Sequence, residues 1–232
     1  VPNASMVKPE LSIIIPVLNE AAELPALLTH LAHWQQRGAE VVLVDGGSTD
    51  QTSDMARDAG FEVVITSAGR ANQMNAGALA SHSERLLFLH ADTRLPDDAD
   101  QLLSQAFSSG SSGWGRFDVM IEGRSKMLPV IAALMNWRSR LSGIATGDQA
   151  LFMTRTLFNK AGGFPEQPLM EDIEISKRLK RISRPICLSH KVTTSGRRWD
   201  TRGSWSTILL MWQLRWAYWR GVPTQQLIER YR

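Results

Sequence analysis

The residues of this chain able to do chemistry gather at the ends of short apolar runs. Residues 13–20, IIIPVLNE, end in Pro16, Asn19 and Glu20; residues 44–52, VDGGSTDQT, carry Asp45, Gly46 and Gly47; residues 88–96, FLHADTRLP, carry His90, Ala91 and Asp92. Turns and caps use these same residue types, so turn chemistry explains any one group alone. Three together point further, because open α/β sheets bind ligands outside the carboxyl ends of their strands. Gly46 and Gly47 permit a sharp turn and a close approach of main chain to a ligand. Arg70 opens a predicted helix that also carries Gln73 and Asn75. A helix N-terminus with an arginine is an anion site suited to phosphate, the competing reading being a surface arginine. Alternate residues of an extended segment point the same way, so His90 and Asp92 are expected to face one site. Glu171 and Asp172, in residues 170–174 (MEDIE), either load a helix N-terminus or serve proton transfer.

These groups need a scaffold, and the periodicity supplies one. Residues 11–17, 40–45, 61–66 and 85–90 are short, apolar and β-branched, as strands buried on both faces should be. Between them the spacing predicts helices over 21–36, 49–59, 70–81 and 97–108, the second capped by Ser48 and closed by Gly60. Strand alternating with helix predicts an α/β sandwich with a mostly parallel sheet. The Gly/Ser-rich residues 108–115 divide a front half, about 11–110, from a back half, about 114–200. The back half reads as strands over 115–121, 150–153 and 185–192, with helices over 126–141 and 171–181. Residues 201–232 read as a helical tail on a single catalytic domain of residues 1–200.

The ordered set IIIPVLNE, VDGGSTDQT, GRANQMNAG, FLHADTRLP, AGGF and MEDIEISKRL resembles the inverting family-2 glycosyltransferases, over residues 11–199. The resemblance implies a GT-A fold, a three-layer sandwich. It also implies transfer of a sugar from a nucleoside diphosphate sugar, UDP-type by preference, to an acceptor hydroxyl. On this reading Asp45 accepts a hydrogen bond from a pyrimidine N–H, with Pro16, Asn19, Glu20, Gly46 and Gly47 around it. Arg70, Asn75, Arg197 and Arg198 then contact nucleotide or diphosphate. Asp92 holds Mn²⁺ or Mg²⁺. Many relatives have two aspartates flanking one residue where this chain has His90-Ala91-Asp92. His90 therefore either joins Asp92 on the metal, which favours Mn²⁺ over Mg²⁺, or contacts the sugar. Asp172 is implied as the catalytic base, with Glu171 beside it, and Gly147, Asp148, Gln149 and Trp199 as acceptor or sugar contacts. Residues 195–199, SGRRW, resemble the Arg-Trp end of a motif in processive synthases but lack its leading Gln.

Composition narrows the alternatives. The balance of 43% hydrophobic and 21% charged residues is globular, and a lone cysteine, Cys187, rules out a disulfide scaffold and fits a reducing, cytoplasmic setting. A net charge of +3 is too mild for a nucleic-acid binder. No G-x-G-x-x-G follows the first strand, which argues against a dinucleotide-binding dehydrogenase, and no Gly-rich Arg/Lys loop follows it, which argues against a sugar-phosphate nucleotidyltransferase. A nucleotide-sugar sensor with a degenerate metal site remains the non-enzymatic alternative. Residues 1–10 lack the apolar run of a signal peptide, and no apolar stretch reaches the roughly 18–20 residues of a membrane span. From Gly196 onward, however, seven arginines face two acids and five of the eight tryptophans occur. That tail either lies in a membrane interface, on the inner face for a peripheral protein near a lipid-linked acceptor, or packs on the body or on a second copy.

Overall fold

The computed structural model describes residues 8–108 and 113–231. The first residues of the chain, the centre of the Gly/Ser break and Arg232 lie outside the described residues. The element order is β1 (Ser12–Val17), α1 (Leu24–Gln36), β2 (Glu40–Asp45), α2 (Thr52–Asp58), β3 (Glu62–Ile65), α3 (Arg70–Ala80), β4 (Arg85–Phe88), β5 (Thr93–Arg94) and α4 (Ala99–Ser108). The back half continues with β6 (Trp114–Glu122), α5 (Leu128–Ser142), a 3₁₀ turn (Gly147–Gln149), β7 (Leu151–Thr154), α6 (Arg155–Ala161), α7 (Glu171–Ile182) and β8 (Ile186–Ser195). Three helices close the chain: α8 (Arg197–Arg202), α9 (Ser204–Trp219) and α10 (Thr224–Tyr231).

One sheet runs β3-β2-β1-β4-β7-β6-β8-β5. β1 to β4 are mutually parallel, β7 joins β4 antiparallel, and β8 lies parallel to β6. Strand alternation sends Ile13, Ile15 and Val17 into one apolar cluster with Leu24, Leu31 and Trp34 of α1 and Leu128 and Ile131 of α5. Ile14, Val42 and Val44 enter a second cluster with Met74 of α3 and Ile175 and Leu179 of α7. Helices therefore cover both faces, and the three-layer α/β architecture is that of the sequence expectation.

Several details differ from the sequence reading. α2 starts at Thr52, and Ser48 does not cap it; the Ser48 hydroxyl instead donates to Asp45 Oδ1 at 2.7 Å. β4 stops at Phe88, and residues 90–93 form a turn closed by Thr93 N–H to His90 O at 3.0 Å. β5, α6 and α8 are too short for a periodic signal, and the two residues of β5 pair with Thr193 and Thr194, a hundred positions away. The tail is not a separate appendage. Leu214, Ala217 and Leu227 pack with Leu169, Met170 and Ile173 at the start of α7, and Tyr218 Oη donates to Glu174 Oε2 at 3.0 Å.

Two polar clamps fix the strand ends. The Gln73 amide, buried on α3, donates to Val17 O and Val44 O, both at 2.8 Å, and so locks the last residues of β1 and near-last of β2 together. Asn136 on α5 completes the ladder of β6, accepting from Val119 N–H at 2.8 Å and donating to Val119 O at 3.0 Å. Close packing of α3 on the sheet depends on Gly77, where an added Cβ would lie 2.4 Å from Ile14 Cγ2 and 2.7 Å from Val44 Cγ2. Gly77→Ala is expected to destabilise the fold by about 1–2 kcal/mol, overpacking outweighing the gain in helix propensity. Urea unfolding of the two proteins measures it.

Candidate active site

The loops at the carboxyl ends of β1 and β2 are knitted to one another before any ligand is considered. Asn19, in the left-handed region at φ 54°, accepts from Thr49 N–H at 2.8 Å and donates its own N–H to Ser48 Oγ at 2.8 Å. Glu20 N–H donates to Thr52 Oγ1 at 2.9 Å. Asp45 is 1% exposed. Its Oδ1 accepts from Gly47 N–H, Ser48 N–H and the Ser48 hydroxyl, whereas Oδ2 has the Ser53 hydroxyl as partner. Burial opposes ionisation of Asp45, but the bonds from Ser53, Ser48 and Gly47 outweigh it and hold the carboxyl below the usual range. Gly47 turns the loop at φ 89°, and Gly46 lies so close to Gln73 that an added Cβ would sit 3.1 Å from its Cδ. Pro16, paired with Val44 in the sheet, forms the adjoining wall.

Beyond β4 the turn at 90–93 separates two neighbouring sites. On one side lies a groove of about 380 Å³ lined by Glu20, Ala91, Asp92, Glu122, Thr194 and Arg197 among others. The β5–β8 pairing sets Asp92 against β8: Ser195 N–H donates to Asp92 O at 3.1 Å, and Asp92 Oδ1 meets the Thr93 and Thr194 hydroxyls at 3.3 and 3.4 Å. Arg197 follows β8 and pairs with Glu23 at 3.2 Å. Burial pushes the Glu20 carboxyl up, Arg197 pulls it down, and the charge of Asp92 pushes it up again.

On the other side His90, Gly147, Phe164, Glu171 and Asp172 line a small cavity. His90 Nδ1 lies 3.2 Å from Asp148 Oδ1. Its ring covers Gly147 so closely that a Cβ there would stand 2.2 Å from Nε2. Asp172 Oδ2 accepts from Gly147 N–H at 2.9 Å and Oδ1 from Ile173 N–H at 2.7 Å, so both oxygens are oriented by main chain. Burial drives the Glu171 carboxyl up and the charge of Asp172 adds to it, with Arg70 pulling the other way. For Asp148 burial also opposes ionisation, but the His90 hydrogen bond and the charges of His90, Arg70 and Arg215 prevail and lower it. Arg70 is open to solvent yet crowded by protein. Burial alone would loosen its proton, and the fields of Tyr231, Glu171, Asp148 and Asp172 more than reverse this.

The sequence expectations sort accordingly. The structure brings His90, Gly147, Asp148, Glu171 and Asp172 together, with Arg70 in their field, and gathers Glu20, Ala91, Asp92 and Arg197 in the groove. His90 and Asp92 do not share a site, because residues 90–93 turn and the alternation rule holds only for extended chain. Asn75 is withdrawn from the nucleotide: its amide donates to Phe164 O at 2.8 Å and accepts from Phe164 N–H at 2.9 Å, holding the AGGF turn. Gln149 is fully buried, boxed with Thr146 across the 3₁₀ turn and bonded to Asn136 at 3.3 Å, so it does not reach a sugar. Arg198 stacks on Tyr231 at 3.7 Å and donates to Tyr231 O at 3.2 Å, which fastens α10 in place of a diphosphate. Trp199 is half-buried against the first apolar cluster. Two residues escaped the sequence reading: Arg215 of α9 and Arg138 of α5, both in the field of Asp172. Their signal was an isolated arginine interrupting an apolar helix.

Asp92 is the carboxylate of the groove that suits a divalent cation. Among the described residues no three His, Cys, Asp or Glu side chains gather as a metal cluster. Asp92, exposed in the groove with few and long hydrogen bonds, fits an ion completed by substrate phosphates and water, the usual mode for Mg²⁺.

Comparison with known proteins identifies the family and the fold. The sequence profile of Glycosyl transferase family 2 matches residues 12–154, more than half of the chain, and the protein belongs to that family. A PGL/p-HBAD biosynthesis glycosyltransferase of Mycobacterium bovis BCG is 44% identical over 97 residues, covering 39% of this chain and 38% of that protein. The mannosyltransferase of Pyrobaculum calidifontis, solved with GDP-Man and Mn²⁺, superposes with a TM-score of 0.64 at 19% identity, covering 91% of this chain and 62% of that one. Staphylococcus aureus TarS 1-349, solved with UDP-GlcNAc, gives 0.60 at 18% identity, covering 80% and 58%. At these identities the structures attest the shared GT-A fold. The chain spans less than two thirds of the length of each of these proteins.

Glu171 offers a pH test of the site. Its carboxyl is raised in the folded state, so the contribution it makes to stability is present below its ordinary value of 4.5 and is lost as pH rises through the folded value. Glu171→Gln is therefore expected to melt higher than the parent at neutral pH, with the difference vanishing below about pH 4.5. Thermal melts from acidic to neutral pH measure the trend.

Proposed function

We propose that this protein transfers a sugar, with inversion, from a nucleoside diphosphate sugar of UDP type to the hydroxyl of an acceptor. The observation that carries the reading is Asp172, a carboxylate oriented by two main-chain N–H groups in a cavity one turn away from the Asp92 groove. The acceptor oxygen attacks the anomeric carbon opposite the diphosphate; the new C–O bond forms as the bond to the diphosphate oxygen breaks, and the acceptor proton passes to Asp172. Burial and the neighbouring Asp172 push the Glu171 carboxyl up, so it holds its proton more tightly than a free carboxyl.

The donor diphosphate lies along the groove, where Arg197 exchanges Glu23 for a phosphate oxygen. Asp92 would hold a divalent ion, Mn²⁺ or Mg²⁺, whose chemistry there is to neutralise the departing diphosphate. Asp45 Oδ1 is committed to its own loop, but Oδ2 has the Ser53 hydroxyl alone, which a pyrimidine N–H can replace. His90 and Asp148 face the sugar side of the cavity. Relatives of this fold solved with UDP-GlcNAc and with GDP-Man support a nucleotide-sugar donor.

Two measurements test the assignment. Asp172→Asn is expected to lower transfer by about 10²–10⁴-fold while leaving donor affinity nearly unchanged. Transfer surviving at parental rate in that variant would remove Asp172 as base. By calorimetry, Asp45→Ala should weaken UDP binding, whereas Ser53→Ala, which frees Oδ2, should leave it equal or tighter. Weaker binding in both variants would assign Asp45 to shaping the loop alone.

A further inference from the structure

Two helices from distant parts of the chain turn large apolar side chains to solvent. On α5, Val130, Leu134, Trp137 and Leu141 are 52–68% exposed; on α9, Trp205, Leu209, Trp212, Trp216 and Trp219 are 58–79% exposed. Steps of three and four residues place each set on a single helix face. The opposite faces are buried, by Ile131, Ala132 and Ser139 on α5 and by Thr207, Leu214 and Ala217 on α9, so the helices are docked. They also start side by side. Ser125 Oγ lies 2.7 Å from Ser204 Oγ, and Ile208 packs on the cluster containing Ile131. Their later turns stay near each other, since Arg138 is held down to about 10 by burial and by the charge of Arg215.

The charge on this face has one sign. Neither helix contains an Asp or Glu. Arg138 and Arg215 are half-buried in the field of Asp172, and Arg220, at the end of α9, is exposed. Arg220 stacks on Trp216 at 4.8 Å. A soluble monomer rarely exposes so many neighbouring large apolar groups. A second copy applied to this face would bring no acid from these helices to Arg220. A lipid surface meets both needs, because tryptophan rings favour the headgroup zone and phosphates supply the missing anions.

We propose that the α5–α9 face docks this protein on an anionic phospholipid membrane, with the tryptophans in the headgroup layer and Arg220 toward lipid phosphates. The proposal stands apart from the transfer reaction, and binding tests it without any donor. The protein is mixed with vesicles of phosphatidylcholine alone or of phosphatidylcholine with phosphatidylglycerol, and bound protein is measured by sedimentation at low and high salt. Binding is expected on the mixed vesicles, about tenfold or more weaker on phosphatidylcholine alone, and reduced by salt. Tryptophan emission should shift to the blue, and lipids brominated near the headgroup should quench it. Combined replacement Trp212→Ser, Trp216→Ser and Trp219→Ser should abolish binding while circular dichroism retains the parental helix content. Should the variant fail to fold, brominated-lipid quenching in the parent decides by itself. Equal binding to both vesicle types, no binding to either, or light scattering that shows a dimer converted to monomer by the tryptophan replacements would overturn the proposal. The last result would make the face a contact between copies.

Discussion

Glu171, Asp172 and Asp148 occupy one site, and carboxylates at such proximity repel unless positive charge or protonation compensates them. The fold answers this with basic groups from four different parts of the chain. His90 comes from the turn after β4, Arg70 from the first turn of α3, Arg215 from α9, and Arg138 from α5. Where compensation reaches furthest, at Asp148, the carboxyl is lowered; where it falls short, at Glu171, it is raised.

This dependence accounts for the packing of the C-terminal helices beside the acid cluster. α9 places Arg215 only because Leu214 and Ala217 are anchored against Leu169, Met170 and Ile173, and α10 is fastened by Arg198 and Arg202 to Tyr231. The residues that precede α7 thus sit between the acid cluster and the tail. The inner side of α9 puts Arg215 in the field of Asp172 and Asp148, and its outer side carries the tryptophans.

Much of the architecture was legible beforehand because it obeys local rules. β1 and β2 are near-continuous apolar runs, and α1 carries Leu24, Leu27, Leu28 and Leu31 at helical spacing; both were placed to within a few residues. The ordered motifs led to the correct family and to the segments that form the cavity. Individual roles were less legible. Asn75 and Gln149 are polar residues in motif segments, and polarity alone does not tell a ligand contact from a clamp on buried main chain. Their partners, Phe164 and Asn136, are distant in sequence, so their hydrogen bonds could not be read from spacing. The same holds for Arg198, whose arginine chemistry suits an aromatic ring as well as a phosphate.

The amino-acid order by itself determined the strand–helix alternation, the polar strand ends and the concentration of arginine and tryptophan after Gly196. Those are consequences of side-chain periodicity and composition, which act over a few residues. Only the tertiary structure decided that His90 turns to Asp148 while Asp92 turns to the groove, since a single hydrogen bond from Thr93 to His90 ends the extended geometry between them. It also decided that Gly147, rather than any larger residue, meets His90, and that Arg215 reaches Asp172. Burial and electrostatic compensation are properties of neighbours in space, and in this chain those neighbours are separated by tens of residues.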